Sequence, residues 1–410
     1  MARLVRALVV GAPVDDGVLP ASWLLPDGTA AVRLQALPHG SLDVTVPHDA
    51  GNVASTVALD QVLGAGAASL TLAAATPRTA VQRVLDVGCG QGLQAVLAAP
   101  HAQQVVATDR NLRAVAYTRL AAALNGATVE ARTGDLLEPV AGEAFDLVVS
   151  NPPFVVSPGR RYTYRDAGLD GDEVSRRLVS EIPTVLAPGG HAVLLVNWLH
   201  LQGEDGDARI RSWFEGTGCD GWVVQRELAD PEEYVTAWLR DTDESAFDAL
   251  FDEWVDALAG VEAVAFGVVA LHRRTDGLAP RVDLDVVDQP VAATWGEEVT
   301  AHFARRALLE GDLLGARLRL RGDVRLHEVA ERTAEGWEPV VQRLQQEGGL
   351  RWSGGIDAYG ASLLAACDGT QPLAALVDLL AAALDEPVGE LTASVLPVVR
   401  RLVGQGFLEG

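Results

Sequence analysis

An α/β fold built on a doubly wound parallel sheet is predicted by two features of this sequence. Apolar runs typical of buried strands alternate with helix-like stretches from Val84 to Arg273. The first run breaks into a glycine-rich turn that leads directly into a helix-like segment. A small β-rich segment is predicted at residues 1–59, and an α+β region at residues 277–410. The central domain is therefore expected to span residues 60–276.

Composition indicates a globular protein with more than one domain. The 410 residues are 49% hydrophobic and 21% charged, which is enough for two or three domains with full-sized cores. The formal net charge is −24, and the sequence contains no lysine. Because nucleic-acid binding relies on a basic surface, this charge disfavours a nucleic-acid partner. No membrane span or cleavable leader is evident, so a cytoplasmic location is expected, and the oligomeric state is left open.

Metal binding is not predicted. The three cysteines, Cys89, Cys219 and Cys367, are spaced neither as a disulfide framework nor as a zinc site. His327 and Glu328 are not followed by a second histidine at metalloprotease spacing.

The first residues mix short β-like runs with Pro and Gly turns. The runs cover Ala7–Val10, Ala31–Leu34 and Leu42–Val46. Such runs, separated by turn residues, predict a hairpin layer against the core.

The stretch Val84–Gly92 reads Val-Leu-Asp-Val-Gly-Cys-Gly-Gln-Gly and predicts a strand, a tight turn and a helix N-terminus. Glycine lets the backbone turn sharply and approach a ligand closely. The unpaired N–H groups of a helix N-terminus, at the carboxyl edge of a parallel sheet, suit a nucleotide-like ligand. The alternative is a tight β–α turn that binds nothing.

Acidic residues follow the next two apolar runs. Gln104–Thr108 leads into Asp109, and Val129–Thr133 leads into Gly134 and Asp135. A carboxylate at the end of the second strand can accept hydrogen bonds from ribose hydroxyls. The Gly-x-Gly-x-Gly spacing differs from the dinucleotide fingerprint, which argues against NAD.

The next apolar run, Ala144–Ser150, ends in an Asn-Pro-Pro-Phe motif. Planar nitrogens are poor nucleophiles because their lone pair is delocalised. The Asn151 side-chain oxygen and the Pro152 carbonyl can each accept one N–H of such a nitrogen. Pro153 stiffens the loop, and Phe154 offers a flat apolar surface for a planar group. The alternative is an extended loop that only closes the strand.

Together with the glycine turn, this motif makes the segment from Leu85 to Trp198 resemble a class I S-adenosylmethionine-dependent methyltransferase. Within that class, the motif is similar to the Asn/Asp-Pro-Pro-Tyr/Phe box of enzymes that methylate planar nitrogens. These include the release-factor glutamine methyltransferases and the nucleobase-amine methyltransferases. The resemblance implies a Rossmann-like, seven-stranded methyltransferase sheet, but nothing before Asp60 resembles the N-terminal helical bundle of the release-factor enzymes.

The resemblance also implies which residues contact S-adenosylmethionine. We expect Asp86 and the turn at the methionine end, Asp109 at the ribose, and Asp135 with Leu136 at the adenine. Gly64–Ser69 either contacts the methionine portion or only packs. The expected cofactor residues are Asp86, Gly88, Cys89, Gly90, Gly92, Asp109, Arg110, Asp135, Leu136 and Asn151. The expected catalytic residues are Asn151, Pro152, Pro153 and Phe154, with no evident general base.

Later elements complete the predicted sheet. Helices are predicted over Asn111–Asn125, Asp172–Leu186 and Ala208–Glu215, and strands over His191–Asn197, Gly221–Arg226 and Val261–His272. Trp198 follows its strand directly, so it is predicted at the ligand-facing edge, in contact with substrate.

Two insertions interrupt this pattern. A polar loop after the Asn-Pro-Pro-Phe motif carries Tyr164 and Arg165, which are expected either to contact substrate or to brace the loop. The second insertion, residues 227–260, is acidic and contains apolar residues at helical spacing from Phe247 to Leu258, which predict an amphipathic helix on the core. Its acidic face is either solvated or attracts a cationic substrate.

The composition shifts after residue 276. Four arginines alternate along one run and form the best candidate for a basic patch: Arg317, Arg319, Arg321 and Arg325. Residues 355–410 predict three helices closing on a short apolar end and look like a winged-helix module. With this net charge, peptide recruitment or packing is favoured over DNA binding.

The predicted function is methyl transfer from S-adenosylmethionine to an amide or guanidino nitrogen of a protein, peptide or small molecule. One alternative is N-methylation of an exocyclic amine of an RNA or DNA base, which predicts an arginine-lined groove. The other is a non-catalytic cofactor-binding scaffold, against which the intact motif at residues 151–154 argues.

Overall fold

The computed structural model describes residues 32–39, 42–49, 61–156, 172–240, 244–334 and 336–410. The chain divides into two compact units, Met1–Asp288 and Gln289–Gly410. Within the ranges just given, no helix combines the length and the apolar character needed to cross a membrane.

The first unit begins with the predicted β-rich segment. Strands β1 (Val32–His39) and β2 (Leu42–Asp49) pair antiparallel along their whole length. Val46 of β2 is fully buried and clusters with Leu93 and Leu97, two residues of a later helix. The hairpin therefore lies against the core, as predicted, whereas the run at residues 7–10 falls outside the described residues.

Eight further strands of this unit form one sheet. They are β3 Val81–Val87, β4 Ala102–Asp109, β5 Glu130–Thr133, β6 Phe145–Ser150, β7 Leu186–Leu201, β8 Cys219–Ala229, β9 Val261–Arg273 and β10 Val282–Val286. Their order across the sheet is β10-β8-β9-β7-β6-β3-β4-β5. The neighbouring strands β7, β6, β3, β4 and β5 are all parallel to one another. In contrast, β9 is antiparallel to both of its neighbours, β7 and β8. The predicted α/β fold with a mostly parallel sheet is confirmed.

The helices of this unit connect the strands. They are α1 Ala67–Ala75, α2 Leu93–Ala98, α3 Leu112–Leu124, α4 Glu173–Glu181, α5 Gly206–Ser212, α6 Pro231–Leu239 and α7 Glu244–Ala257. The main core cluster includes Leu85 of β3, Phe145 of β6, Leu194 of β7, Leu178 of α4 and Ile210 of α5, all fully buried. Strands covered on both faces explain the continuous apolar runs of the sequence.

The sheet contains one strand more than the seven expected. β10 pairs in parallel with β8 at the sheet edge, and Val287 just after it is fully buried. The sequence suggested that this domain ends at residue 276, but the compact unit continues through β10 to Asp288. The shift in composition after residue 276 therefore precedes the last strand of the sheet.

Strand β7 is longer than predicted, and this corrects the prediction for Trp198. Residues up to Leu201 continue to pair with β9, and Trp198 lies opposite Ala265 within that ladder. Its side chain is fully buried in the main core cluster. Trp198 is therefore a core residue inside a strand and not a substrate contact beyond its end.

The acidic insertion contains α6 and α7. In α7, Trp254 is buried, while Asp252 and Asp256 are exposed, as expected of an amphipathic helix. Helix α6 begins at Pro231 after Asp230, whose carboxylate accepts the N–H of Glu233 at 2.9 Å. Proline at the first helical position and aspartate before it are favourable at a helix N-terminus.

The second unit combines four helices with short strands. They are α8 Glu297–Glu310, β11 Arg319–Leu320, β12 Val324–Arg332, β13 Trp337–Gln346, β14 Ser353–Gly355, α9 Ala358–Ala366, α10 Leu373–Leu384, α11 Val388–Gly404 and β15 Leu408–Glu409. β12, β13 and β14 form an antiparallel sheet, and β15 pairs with β11. Leu373, Val403 and Phe407 are at the centre of the core of this unit.

Two of the four arginines in the predicted basic patch form ion pairs with acidic residues of the second unit. Arg321 forms ion pairs with Glu298 and Asp323, and Arg325 with Glu347 at 2.8 Å. These ion pairs offset much of the positive charge that would attract phosphate groups. The run also does not follow a single strand, because β11 ends at Leu320 and β12 begins at Val324.

Candidate active site

The glycine turn connects β3 to α2 and is anchored to the neighbouring strand. The N–H groups of Gly88 and Cys89 both donate to the Thr108 carbonyl of β4, at 2.8 and 3.0 Å. Gly92 has a φ of 88° and ends the turn, and a Cβ there would lie 2.8 Å from the Thr118 Cα. Glycine is therefore required at this position for both conformation and space.

Asp86 lies beneath this turn and is only 1% exposed. One of its carboxylate oxygens accepts the N–H of Ala95 in the first turns of α2 at 3.0 Å. Burial raises the pKa of Asp86 to about 7, and the nearby charge of Asp109 adds to this shift. A cationic ligand would favour the ionised form of such a carboxyl group.

Asp109 ends β4 and faces the same turn. Its two carboxylate oxygens accept N–H groups from Gly90 at 3.0 Å and from Asn111 at 2.8 Å. Each carboxylate oxygen can accept a second hydrogen bond, so capacity for ribose hydroxyls remains. Burial raises the pKa of Asp109, and the positive charge of the adjacent Arg110, whose side chain is exposed, acts in the opposite direction.

Asp135 and Leu136 lie just beyond β5, beside the end of β4. The Thr108 hydroxyl donates to the Leu136 carbonyl at 3.0 Å, and Leu136 has a φ of 43°, in the left-handed region. Asp135 is half exposed and pairs with Arg177 at 3.4 Å. It also lines a surface cleft of about 520 Å³, together with Glu138, Arg177 and Val185.

The Asn-Pro-Pro-Phe motif directly follows β6. The Ser150 hydroxyl donates to the Val87 carbonyl at 2.9 Å, which joins the ends of β6 and β3. Asn151 donates through Nδ2 to the Ser69 hydroxyl at 3.3 Å. A small pocket unites the motif with the glycine turn, and its lining residues are Ser69, Asp86, Gly88, Cys89, Gln91, Leu93, Gln94 and Asn151.

Phe154 is more enclosed than the sequence suggested. It is 8% exposed, and its ring centroid lies 5.4 Å from that of Phe266 on β9. Pro152 is buried and Pro153 is half-buried. The Phe154 ring therefore packs against Phe266 of β9, and little of it is exposed.

Two predicted substrate residues, Tyr164 and Arg165, lie outside the described residues. Conversely, the pocket includes Gln94, which the sequence analysis missed. Gln94 donates through Nε2 to the Ser69 carbonyl at 2.8 Å, and its buried Oε1 has no hydrogen-bond partner among the described residues. Its position two residues after the glycine turn is the signal that could have identified it.

The chemistry of the site fits S-adenosylmethionine. A Cβ built on Gly88 or Gly90 would meet no atom within 4 Å, so the turn borders open space. The carboxylates of Asp86 and Asp109 accept hydrogen bonds, as an amino group and ribose hydroxyls require, and Gln94 Oε1 is a further acceptor.

Comparison with known proteins agrees with this geometry. Residues 61–205 match the Methyltransferase small domain family, and residues 300–410 match a Domain of unknown function (DUF7782). The fold, the glycine turn and this match define the first unit as a class I S-adenosylmethionine-dependent methyltransferase domain.

The chain is similar in sequence to several methyltransferases of known name. The chain is 36% identical over 158 residues to the release factor glutamine methyltransferase of Geobacter sulfurreducens, covering 35% of this chain and 53% of that protein. It is 40% identical over 116 residues to the ribosomal RNA small subunit methyltransferase C of Chromohalobacter salexigens. This match covers 28% of this chain and 32% of that protein. It is also 33% identical over 127 residues to the ribosomal protein uL3 glutamine methyltransferase of Bradyrhizobium diazoefficiens, covering 27% and 40%. The chain thus spans between about a third and about half of the length of these relatives.

Proposed function

We propose that this chain transfers the methyl group of S-adenosylmethionine to a planar nitrogen, and that the acceptor is the side-chain amide of a protein glutamine. The observation that carries the proposal is the pocket shared by Asn151 and the glycine turn. One side of this pocket suits the cofactor, and the other offers oxygen atoms to the N–H groups of an acceptor.

On the cofactor side, Asp86 and Gly88–Gly92 hold the methionine end, and Asp109 holds the ribose hydroxyls. Asp135 and Leu136 would hold the adenine. When bound, S-adenosylmethionine supplies a methyl group on a positively charged sulfur. The buried carboxylate of Asp86 is favourable near that charge.

On the acceptor side, Asn151 and Pro152 orient the target nitrogen. Asn151 uses Nδ2 to donate to Ser69, so its Oδ1 is the atom that accepts one N–H of the target. The Pro152 carbonyl accepts the other N–H, and Phe154 contacts the planar group. These contacts would keep the nitrogen facing the methyl group of the cofactor, and the nitrogen would lose a proton to solvent when it gains that methyl group. Alignment of the two reacting atoms can supply much of the acceleration.

Relatives and charge together favour a protein amide as the acceptor. The names of several relatives state that they methylate glutamine, in a release factor or in ribosomal protein uL3. A net charge of −24 is unfavourable for binding RNA, because the protein would repel the phosphate groups of the RNA. We further propose a cytoplasmic location, and that residues 355–410 form a winged-helix-like end of the second unit that recruits the acceptor.

The second candidate is the exocyclic amine of an RNA base. It is favoured by the ribosomal RNA methyltransferase C relatives, which match this chain at 36% and 40% identity. Such an amine has the same two N–H groups as an amide, so residues 151–154 suit both acceptors.

Labelled methyl transfer distinguishes these acceptors. The protein is incubated with methyl-labelled S-adenosylmethionine and a bacterial lysate, and the products are then treated with protease or nuclease. Purified release factor, ribosomal protein uL3 and small-subunit ribosomal RNA are tested next. Label that protease removes supports the glutamine amide, and label that nuclease removes establishes the RNA base instead. Cofactor binding with no label in any fraction would contradict catalysis.

Asn151→Ala tests the motif in the same assay. We expect transfer to be lost because the variant removes the oxygen that accepts an N–H of the target, while S-adenosylmethionine still binds through the contacts proposed for Asp86 and Asp109. Asn125→Ala is the control, since Asn125 bonds both main-chain groups of Thr45 and does not line the pocket. It should cost stability and keep transfer. Loss of cofactor binding in Asn151→Ala would show that the residue belongs to the cofactor site.

A further inference from the structure

A side chain of the acidic insertion reaches the chain segment that follows the Asn-Pro-Pro-Phe motif. The Tyr234 hydroxyl of α6 accepts the Val156 N–H at 2.9 Å. The same hydroxyl accepts a hydrogen bond from Asn197 Nδ2 on β7 at 3.2 Å. All three residues are buried. Because an unpaired buried N–H is costly, this bond fixes the main chain two residues after Phe154.

A second contact fixes the same segment from the sheet. Phe266 on β9 packs against Phe154 and lies directly opposite Asn197 in the β7–β9 ladder. Residues opposite each other in a ladder project from the same face of the sheet. Asn197, Phe266 and Tyr234 therefore form one wall behind the motif.

We infer that Tyr234 is a positioning residue for the methyl acceptor, acting through the main chain at Val156. The inference rests on the proposed methyl transfer. Any movement of this segment shifts the Asn151 oxygen and the Pro152 carbonyl relative to the cofactor, and a shift of about 1 Å can lower a rate by about 100-fold.

This inference gives the insertion a role in the reaction. Tyr234 lies beyond residues 61–205, which are the residues that match the methyltransferase family. The cofactor side of the pocket comes from those matched residues, whereas the acceptor side depends on a helix outside them. The insertion is thus part of the acceptor site rather than a surface addition.

Tyr234→Phe tests the inference, with Tyr117→Phe as the matched control. Tyr234→Phe removes one hydroxyl and keeps the ring, which packs near Trp238 at 6.3 Å between centroids. Tyr117→Phe also removes a hydroxyl from the first unit, one that donates to Asp49 at 2.5 Å, away from the motif. We expect Tyr234→Phe to lower kcat about tenfold or more, with an unchanged Kd for S-adenosylmethionine. Tyr117→Phe should keep kcat, although its melting temperature falls.

Hydrogen exchange at the Val156 amide gives a readout that needs no acceptor. It should be faster in Tyr234→Phe than in the wild type and in Tyr117→Phe, as measured by NMR or mass spectrometry. Exchange at the wild-type rate, an unchanged kcat, or an equal loss of kcat in Tyr117→Phe would overturn the inference. If the wild type labels no acceptor, the proposed function fails by itself, and the exchange rate still decides whether Tyr234 holds this segment.

Discussion

The carboxyl group of Asp86 is almost fully buried beneath a ligand pocket, and this makes folding sensitive to pH. Below about pH 4 the group is protonated in both the folded and the unfolded chain. Between about pH 4 and pH 7 the folded chain holds the proton more tightly, because burial raises the pKa to about 7. The free energy of unfolding therefore falls as pH rises through this window and levels off above it.

Asp86→Asn should remove this dependence, because the amide stays neutral and keeps an oxygen for the Ala95 N–H. We expect the free energy of unfolding of the variant, relative to the wild type, to rise by up to ~4 kcal/mol from pH 4 to pH 8. Urea unfolding at a series of pH values measures the difference. A difference that is constant with pH would contradict the burial of an ionisable group here.

Asp109→Ala tests the proposed ribose contact. Loss of charge-assisted hydrogen bonds should weaken S-adenosylmethionine binding by about 1–3 kcal/mol, as measured by titration calorimetry. Asp146→Ala is the control, since its carboxylate accepts the N–H groups of Gln82 and Arg83 at the opposite end of β3. Unchanged affinity in Asp109→Ala, or an equal loss in Asp146→Ala, would refute the ribose role.

At the scale of elements, we expect a change that destabilises helix α6 to slow the proposed methyl transfer as well. Asp230→Ala removes the N-cap of this helix and should cost about 1 kcal/mol of unfolding free energy. Because α6 carries Tyr234, methyl transfer should slow as well. Asp205→Ala removes the N-cap of α5 and should cost a similar amount of stability without slowing transfer. Equal effects on transfer in the two variants would show that α6 has no special role.

The strands that the sequence predicted well are those covered on both faces. β3, β4 and β6 each contain a buried, mainly apolar stretch, and the predicted acidic and Asn-Pro-Pro-Phe residues lie at or just beyond their carboxyl ends. β10 was missed because Val282–Val286 alternates valine or leucine with Asp283 and Asp285, a pattern that also suits an exposed segment.

Long-range contacts set the features that the sequence could not show. The length of β7 depends on pairing with β9, which comes much later in the chain, so the position of Trp198 could not be predicted from its own run. Tyr234 reaches a residue 78 positions earlier, and the pattern of the insertion shows amphipathic helices only. Local sequence indicates which elements form, but not which hydroxyl reaches which loop.

At the scale of the whole molecule, the two units should separate at Asp288 rather than before β10. A chain that ends at Asp288 keeps the β8–β10 pairing and the bond from Trp222 Nε1 to Asp285 at 2.7 Å. We expect it to fold and to bind S-adenosylmethionine with unchanged affinity, and its KM for the acceptor should rise if the second unit recruits that acceptor.

A shorter fragment that ends at Gly277 is the comparison for the one that ends at Asp288. It lacks β10 and exposes Trp222, which is 1% exposed in the full protein. Its melting temperature should fall well below that of the longer fragment, as measured by circular dichroism. Equal melting temperatures in the two fragments would contradict a structural role for β10.

The folded protein should react little with labelling reagents, because Cys89, Cys219 and Cys367 are all buried. Reagents that attack thiols should leave the folded protein almost unmodified, and the absence of lysine removes the usual amine targets as well. One cysteine introduced at an exposed position in each unit, such as Leu124 and Tyr359, would then carry a fluorophore or spin label with little background. The protein is thus suited to distance measurements between its two units in solution.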